Sequence, residues 1–299
     1  MSHTIELNYS AAPSFGTIYK GILLRRRKGY RAGQPWPAMR STWRGARVDT
    51  AKLAAYRGLT NWPTDGTLPL LYPHIISSPI HLGMMAHPDF LLSPLGGVHA
   101  RNVILQHRPI SESESLDIVC ELGTPRVLKQ GCEFDISTLV TVGGATVWES
   151  TSSYLFRGKY GQPQEGYEPP RLPDLGTVAR TGQWRVPPDM GRRYAKACGD
   201  YNPIHVSKIL AKLFGFKRDL IHGMWSAARS LVEAGAAGAP CPRRFDVIFK
   251  GPIWIGAGTE MRLQQDGDTV RYDLFCSGND RPCINAQLRP AQPGETLLG

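Results

Sequence analysis

The same order of elements runs twice along this 299-residue chain, once on each side of a Gly- and Pro-rich stretch. That stretch, "GKYGQPQEGYEPPRLPDLG" (158–176), is poor in apolar residues and reads as a linker. Before it, "RVDTAKLAAYRGL" has helical character, as does "SSPIHLGMMAHPDFLL". The strand candidates "HARNVILQHRP", "SLDIVCELG", "QGCEFDISTLVTV" and "ATVWESTSSYLFRG" follow. After it, "PPDMGRRYAKACG" reads as a short helix ending at Gly199, and "HGMWSAARSLVEAGAAG" as a buried helix stopped by Gly235 and Gly238. "RFDVIFK", "TEMRLQQ", "DTVRYDLFC" and "RPCINAQLR" then read as strands with Gly-rich turns between them. Arg47-Val48 and Arg185-Val186 lie 138 residues apart, and Val103-Ile104 and Val247-Ile248 lie 144 apart. A sequence that echoes itself at such an interval must build two similar units. A long helix set against an antiparallel sheet, twice over, is an α+β architecture. The expected boundaries are 1–158 for the first unit, 159–176 for the linker and 177–299 for the second.

Composition narrows the function classes. Hydrophobic residues make up 41% of the chain and charged residues 20%, which supports a sizeable core and argues against wholesale disorder. No apolar run approaches the ~20 residues needed to span a bilayer. The first residues, "MSHTIELNYSAAPSFG", lack the apolar stretch of a signal peptide. Six widely spaced cysteines form no C-x-x-C pair, so free thiols in a reducing cytoplasm are expected, with no cysteine zinc site. The net charge of +10 points to an anionic partner without naming it. Its densest run, "RRRKGYR" (25–31), is either a solvated arm or a patch that meets phosphates of a nucleotide-bearing substrate or an acidic carrier protein. No zinc-finger, RNP or basic-zipper signature supports nucleic-acid binding, and no membrane partner is expected. No G-x-G-x-x-G opens a βαβ unit, so no redox cofactor is expected.

The chemistry concentrates in "ACGDYNPIHVSKILA" (197–211). Pro203 fixes its own φ and disfavours helix at Asn202, so the chain turns sharply there. Such a turn can aim Asp200 and His205 into one space, where a carboxylate and an imidazole sharing a water can handle two successive proton transfers. The plainer reading has Asp200 capping the next helix and His205 packed in the core. Ile209, Leu210, Leu213 and Phe214 then fall on one stripe of a helix, expected to be its apolar face. A helix starting at His222-Gly223 would leave its first N–H groups without internal partners at the positive end of its dipole. Gly223 has no Cβ to keep a ligand oxygen away. No cluster has metal-ligand spacing, so no metal is expected.

Taken together, Gly199-Asp200-x-Asn202-Pro203-Ile204-His205, Ala211, Gly215-Phe216 and His222-Gly223-Met224 resemble the signature of the MaoC-like dehydratases, the (R)-specific enoyl-CoA hydratases of the hot-dog superfamily. "FKGPIWIGAGTEM" (249–261) looks like that family's next strand pair. The resemblance implies a double hot-dog protein with a catalytic C-terminal half and a degenerate N-terminal half. In the latter, "SSPIH" (77–81) is similar to the motif but has no Asp before it at the right spacing. Where the family often has an acidic residue two positions after the catalytic His, this chain has Ser207. By resemblance, Asp200 and His205 share the water, the Gly223 amide holds the thioester oxygen, and Asn202, Pro203 and His222 support them. The implied reaction is reversible hydration of trans-2-enoyl thioesters of CoA or acyl-carrier protein to (R)-3-hydroxyacyl thioesters. No cofactor is implied, and the chain would act as a monomer or a homodimer. Arg25, Arg26, Arg27 and Arg101, with His99 beside it, are candidates for the substrate's phosphates. A thioesterase on the same fold, or a non-catalytic acyl-CoA- or carrier-binding subunit, are the alternatives.

Overall fold

A computed structural model of the chain describes residues 4–24 and 29–298. The first half runs β1 (Ile5–Tyr9), α1 (Phe15–Leu24), β2 (Met39–Ala46), α2 (Thr50–Thr60), α3 (Tyr72–Ala86) and β3 (Gly97–Gln106). It continues with β4 (Leu116–Leu122), β5 (Arg126–Leu128), β6 (Gly131–Val142) and β7 (Ala145–Arg157). Residues 158–179 carry no helix or strand. The second half runs β8 (Arg180–Arg185), α4 (Met190–Cys198), α5 (Pro203–Val206), α6 (Lys208–Leu213) and α7 (Gly223–Glu233). Strands β9 (Arg243–Phe249), β10 (Gly258–Asp266), β11 (Thr269–Cys276) and β12 (Ile284–Pro290) complete it.

Both halves arrange five strands in the same spatial order. The N-terminal order is β2-β4-β6-β7-β3 and the C-terminal order is β8-β10-β11-β12-β9: first, third, fourth, fifth, second. Strands β3 and β9 then pair antiparallel with each other, Ile104 opposite Phe245 and Gln106 opposite Arg243, so the two sheets become one of twelve strands. This is the double hot-dog architecture expected from the sequence, in the α+β class. The continuous sheet was not foreseen, nor were α1, β1, β2, β5 and β8. Strand β1 joins the far edge in parallel with β2, the exception to the antiparallel pattern.

Strand patterning explains which face packs. In β9, Arg243, Phe245 and Val247 are buried while the residues between them are partly exposed, the period-2 alternation of a sheet with one face in the core. That face meets α3 and α7 in one core spanning both halves, with Ile80 and Met84 from α3 and Ala227, Ala228 and Leu231 from α7. Small residues let α7 approach the sheet closely enough for Tyr272 Oη to donate to the Ala227 carbonyl at 3.3 Å. The halves are also tied by polar bonds. The Arg243 guanidinium donates to Gln106 Oε1 at 3.0 and 2.9 Å across the seam, and Trp225 Nε1 donates to the Leu59 carbonyl at 2.8 Å.

Two sequence expectations need correction or completion. The apolar stripe of 209–214 is not buried: Ile209 and Leu213 are each 76% exposed, and Leu210 also faces out. Helix α6 is a surface turn anchored by Ala211, with Phe214 and Phe216 packing around Ile204 and Leu220. Nothing in the structure explains why the outer positions are apolar. All six cysteines are unpaired. Among the described residues, no helix is long and apolar enough to cross a membrane.

Candidate active site

The site begins where α4 ends. Gly199 closes that helix in the left-handed region (φ 80°), a conformation that disfavours a side chain, and a Cβ there would run into the Phe15 ring. The chain then makes two nested side-chain turns. Asp200 Oδ1 accepts the Asn202 amide at 3.0 Å, and Asn202 Oδ1 accepts the Ile204 amide at 3.4 Å. Asn202 is thus the N-cap of α5, and Pro203 takes the first helical position, where a missing N–H costs nothing. This one-turn helix carries His205 inward, where it is buried.

Both imidazoles have their tautomers set by carbonyls, which only accept. His205 Nδ1 donates to the Leu220 carbonyl at 2.9 Å, leaving Nε2 as a base. His222 Nε2 donates to the Asp200 carbonyl at 2.9 Å, the backbone bond expected of an imidazole just before a buried helix. The His222 ring lies against that of His205, centroids 3.8 Å apart. Ser207, where the family often has an acid, caps α6 by accepting the Leu210 amide at 3.3 Å. His205 is therefore buttressed by a backbone carbonyl rather than a carboxylate. Gly223 opens α7, and a Cβ there would lie 2.7 Å from Phe249, so packing demands glycine at this position.

Charge states follow from these surroundings. Burial pushes the Asp200 carboxyl up, but the His222 and His205 imidazoles, the Asn202 amide and His74 outweigh it and hold it below the usual carboxylate range. Burial drives His205 below its ordinary value despite the opposing pull of Asp200. His222 falls to about 3, through burial and the neighbouring His205. At neutral pH the site therefore holds an ionised carboxylate beside neutral imidazoles. Asp200, His205 and His222 can each offer one ligand atom, all within 4.8 Å, to a cation. The His222 nitrogen that approaches the carboxylate, Nε2 at 3.9 Å from Asp200 Oδ2, already carries its proton toward the Asp200 carbonyl and has no lone pair to give there.

Asp200, Asn202, His205, His222 and Gly223 all line one cavity of about 200 Å³. One third of the Asp200 side chain is solvent-accessible. The N-terminal half supplies the opposite wall, with His74, Ser78, His99 and Tyr154, and apolar surface from Leu82 and Met85. From α1, Tyr19 Oη reaches Asp200 Oδ1 at 3.5 Å. At the rim stand the exposed Arg157, whose guanidinium lies 5.8 Å from the Phe216 ring, and Lys250, paired with Asp174 at 2.7 Å.

Sequence reasoning missed Tyr19, His74, Tyr154 and Arg157. They come from distant segments with no fixed spacing to the motif, and only the scatter of histidines at 74, 81 and 99 hinted at them. Arg101 is not brought to this cavity. It is buried off this cavity in a two-pronged pair with Glu133, at 2.7 and 2.6 Å, which leaves its guanidinium committed to the protein. Arg25, Arg26 and Arg27 lie outside the described residues.

A family model described as "MaoC like domain" matches residues 169–275, which contain the whole turn and the start of α7. The chain is 32% identical over 246 residues to 3-hydroxyacyl-thioester dehydratase X of Mycobacterium tuberculosis, covering 81% of this chain and 86% of the relative. Among solved structures it is similar to HtdX of Mycobacterium tuberculosis, with a TM-score of 0.73 and 27% identity, over 85% of this chain and 100% of that one. A second Mycobacterium tuberculosis protein, described as having a double hotdog fold, matches at TM-score 0.53 and 11% identity, over 93% and 97% of the two chains. That likeness speaks to the fold alone.

Proposed function

Because the chain belongs to the MaoC-like dehydratase family, we propose that it catalyses the reversible addition of water to trans-2-enoyl thioesters, giving (R)-3-hydroxyacyl thioesters. The observation that carries this reading is the convergence of the Asp200 carboxylate, His205 and Gly223 on a single cavity. A water between Asp200 and His205 Nε2 has an acceptor for each of its protons. As its oxygen bonds to the β-carbon, one proton passes to this pair, and the electrons of the double bond move toward the thioester carbonyl. The thioester oxygen gains enolate charge and is met by the Gly223 N–H at the positive end of α7. The pair then returns its proton to the α-carbon as the carbonyl re-forms. Dehydration is the same path reversed.

The supporting residues have distinct tasks. Asn202 and Pro203 hold the turn that aims His205, and His222 fixes the Asp200 backbone and the plane of the His205 ring. In this reading 177–299 is the catalytic unit, 1–158 shapes the acyl end, and 159–176 straps them together. Arg157 and Lys250 at the rim suit the phosphates of a CoA or carrier-protein thioester. Six unpaired thiols fit a reducing cytoplasm.

The test is loss of enoyl absorbance on adding the protein to crotonyl-CoA and longer enoyl-CoAs, with release of free CoA followed in parallel. Hydration without free CoA supports the proposal. Thioester cleavage without hydration would make the protein a thioesterase, and binding without turnover a carrier or sensor subunit.

A further inference from the structure

The wall contributed by the N-terminal half is more polar than a saturated acyl chain needs. Asn102, Thr138 and Ser152 are fully buried around His74 and His81. Most of this cluster satisfies itself. His81 bonds Thr138 Oγ1 at 2.8 Å and Tyr154 Oη at 3.0 Å. Asn102 Nδ2 lies 3.1 Å from Ser152 Oγ and 3.4 Å from both His74 Nδ1 and His99 Nε2.

Asn102 Oδ1 is buried without a partner, and His74 keeps one ring nitrogen that no described protein atom meets. With the Asn102 amide in this orientation its NH₂ faces His74 Nδ1, which then accepts and leaves the ring proton on Nε2. The Ser152 hydroxyl at 3.4 Å reinforces that tautomer. The side chain is 5% exposed and lines the cavity, and its Nε2 has no hydrogen-bond partner among the described residues. Burial pushes its pKa down to about 4, so the ring is a neutral donor at physiological pH. His74 lines the cavity and this nitrogen is open to it, so water or a polar guest can meet it. A hydrocarbon chain gives it nothing to meet.

We propose that His74 Nε2–H is a recognition site for a neutral oxygen, a ketone or hydroxyl, carried on the substrate's acyl group beyond the β-carbon. This rests on the thioester reading above, and deepens it by naming the acyl class. The placement follows from division of labour. Asp200, His205 and Gly223 occupy the thioester and β-carbon positions from the C-terminal half, while His74 faces them from α3. His74 is near enough to Asp200 to feel its charge but makes no bond to it. The ionised Asp200 in the same cavity disfavours a carboxylate as the guest. His99, 5.2 Å from His74 and stacked on it, and Tyr154, stacked on His99 at 5.0 Å, form a flat wall beside the donor.

Calorimetric titration decides the matter without relying on catalysis. Saturated acyl-CoAs are compared with chain-matched analogues carrying a ketone at successive carbons beyond the β-carbon. At the matching position the ketone should bind ~2–13-fold more tightly, the net value of one well-made hydrogen bond. His74→Phe should bring the ratio close to one, and His74→Gln, which keeps an N–H, should preserve part of it. The ratio is read within each variant, so a general weakening of binding cancels. Equal affinities at every position, or a preference that survives His74→Phe, overturn the proposal. Turnover of enoyl-CoAs is scored separately: its absence would sink the hydratase reading while the binding ratio still decides this one.

Discussion

Adding one methyl group at Gly223 tests the oxyanion assignment most directly. A Cβ there would lie 2.7 Å from Phe249 Cε1 and 2.8 Å from Cδ1, whereas ordinary contact begins at 3.4 Å. Something must therefore move by about 0.7 Å, the difference between 3.4 and 2.7. The helix start cannot yield freely, because Met224 and Trp225 are buried and Trp225 is bonded to the Leu59 carbonyl. The Phe249 ring is itself wedged against His99, centroids 5.3 Å apart. A donor works only at ~2.7–3.1 Å from the developing oxyanion, so such a shift takes the amide or its guest out of range. The expected loss in kcat is ~10²–10³-fold. Stability should change far less: Ala gains about 1 kcal/mol over Gly in a helix, against ~1–3 kcal/mol for overpacking. Enoyl-CoA hydration rates and calorimetric melting, measured on the same preparation, separate the two effects. Phe249→Leu placed on Gly223→Ala removes the colliding ring edge and should recover at least about tenfold in kcat. A folded Gly223→Ala protein with native kcat would refute the role given to this amide.

Asp200→Asn and His205→Ala should each lower kcat/KM by ~10²–10⁴-fold in the hydration assay, with melting temperature little changed. Activity needs an ionised Asp200 and a neutral His205, both titrating below their ordinary values, so kcat/KM should stay flat as pH falls through 6.5 and decline only in more acid solution. Stability should follow a different rule. His74 and His222 titrate at about 4 and about 3 when folded but near 6.5 when unfolded, so below pH 6.5 the unfolded chain binds more protons. Their contribution is whole above pH 6.5 and is lost as pH falls toward those folded values, by up to ~1.4 kcal/mol per pH unit for each imidazole; His74→Phe should flatten the slope of melting temperature against pH over that window. Glu133→Gln should destabilise by ~3–5 kcal/mol, since it strips the buried Arg101 of its counter-charge and weakens the Arg126 pair, yet leave KM for acyl-CoA unaltered. A raised KM would put Arg101 back among the substrate contacts.

Local chemistry made the turn at 199–205 legible. Gly199, Asn202 and Pro203 each act within two or three residues of themselves, so the helix stop, the cap and the turn could be read in order. The α7 start at His222-Gly223 was legible for the same reason. Long-range pairing was not. Nothing around Val103 or Val247 announces that β3 and β9 face each other, because an interior strand of either half has the same alternation. Helix α6 misled because amphipathic spacing shows which residues share a face but not whether anything covers it. The opposite wall of the cavity was hidden by distance: His74, His99 and Tyr154 meet only through the register of β3 with β7 and the packing of α3.

The seam between β3 and β9 frees this cavity from concentration. A cleft walled by two separate chains disappears as the chains part on dilution, but here both walls share one backbone and cannot drift apart. It also frees the cavity from symmetry. In a pair of identical subunits every substitution is copied into both walls, whereas here one wall carries Asp200 and His205 and the other His74, with no obligation to match.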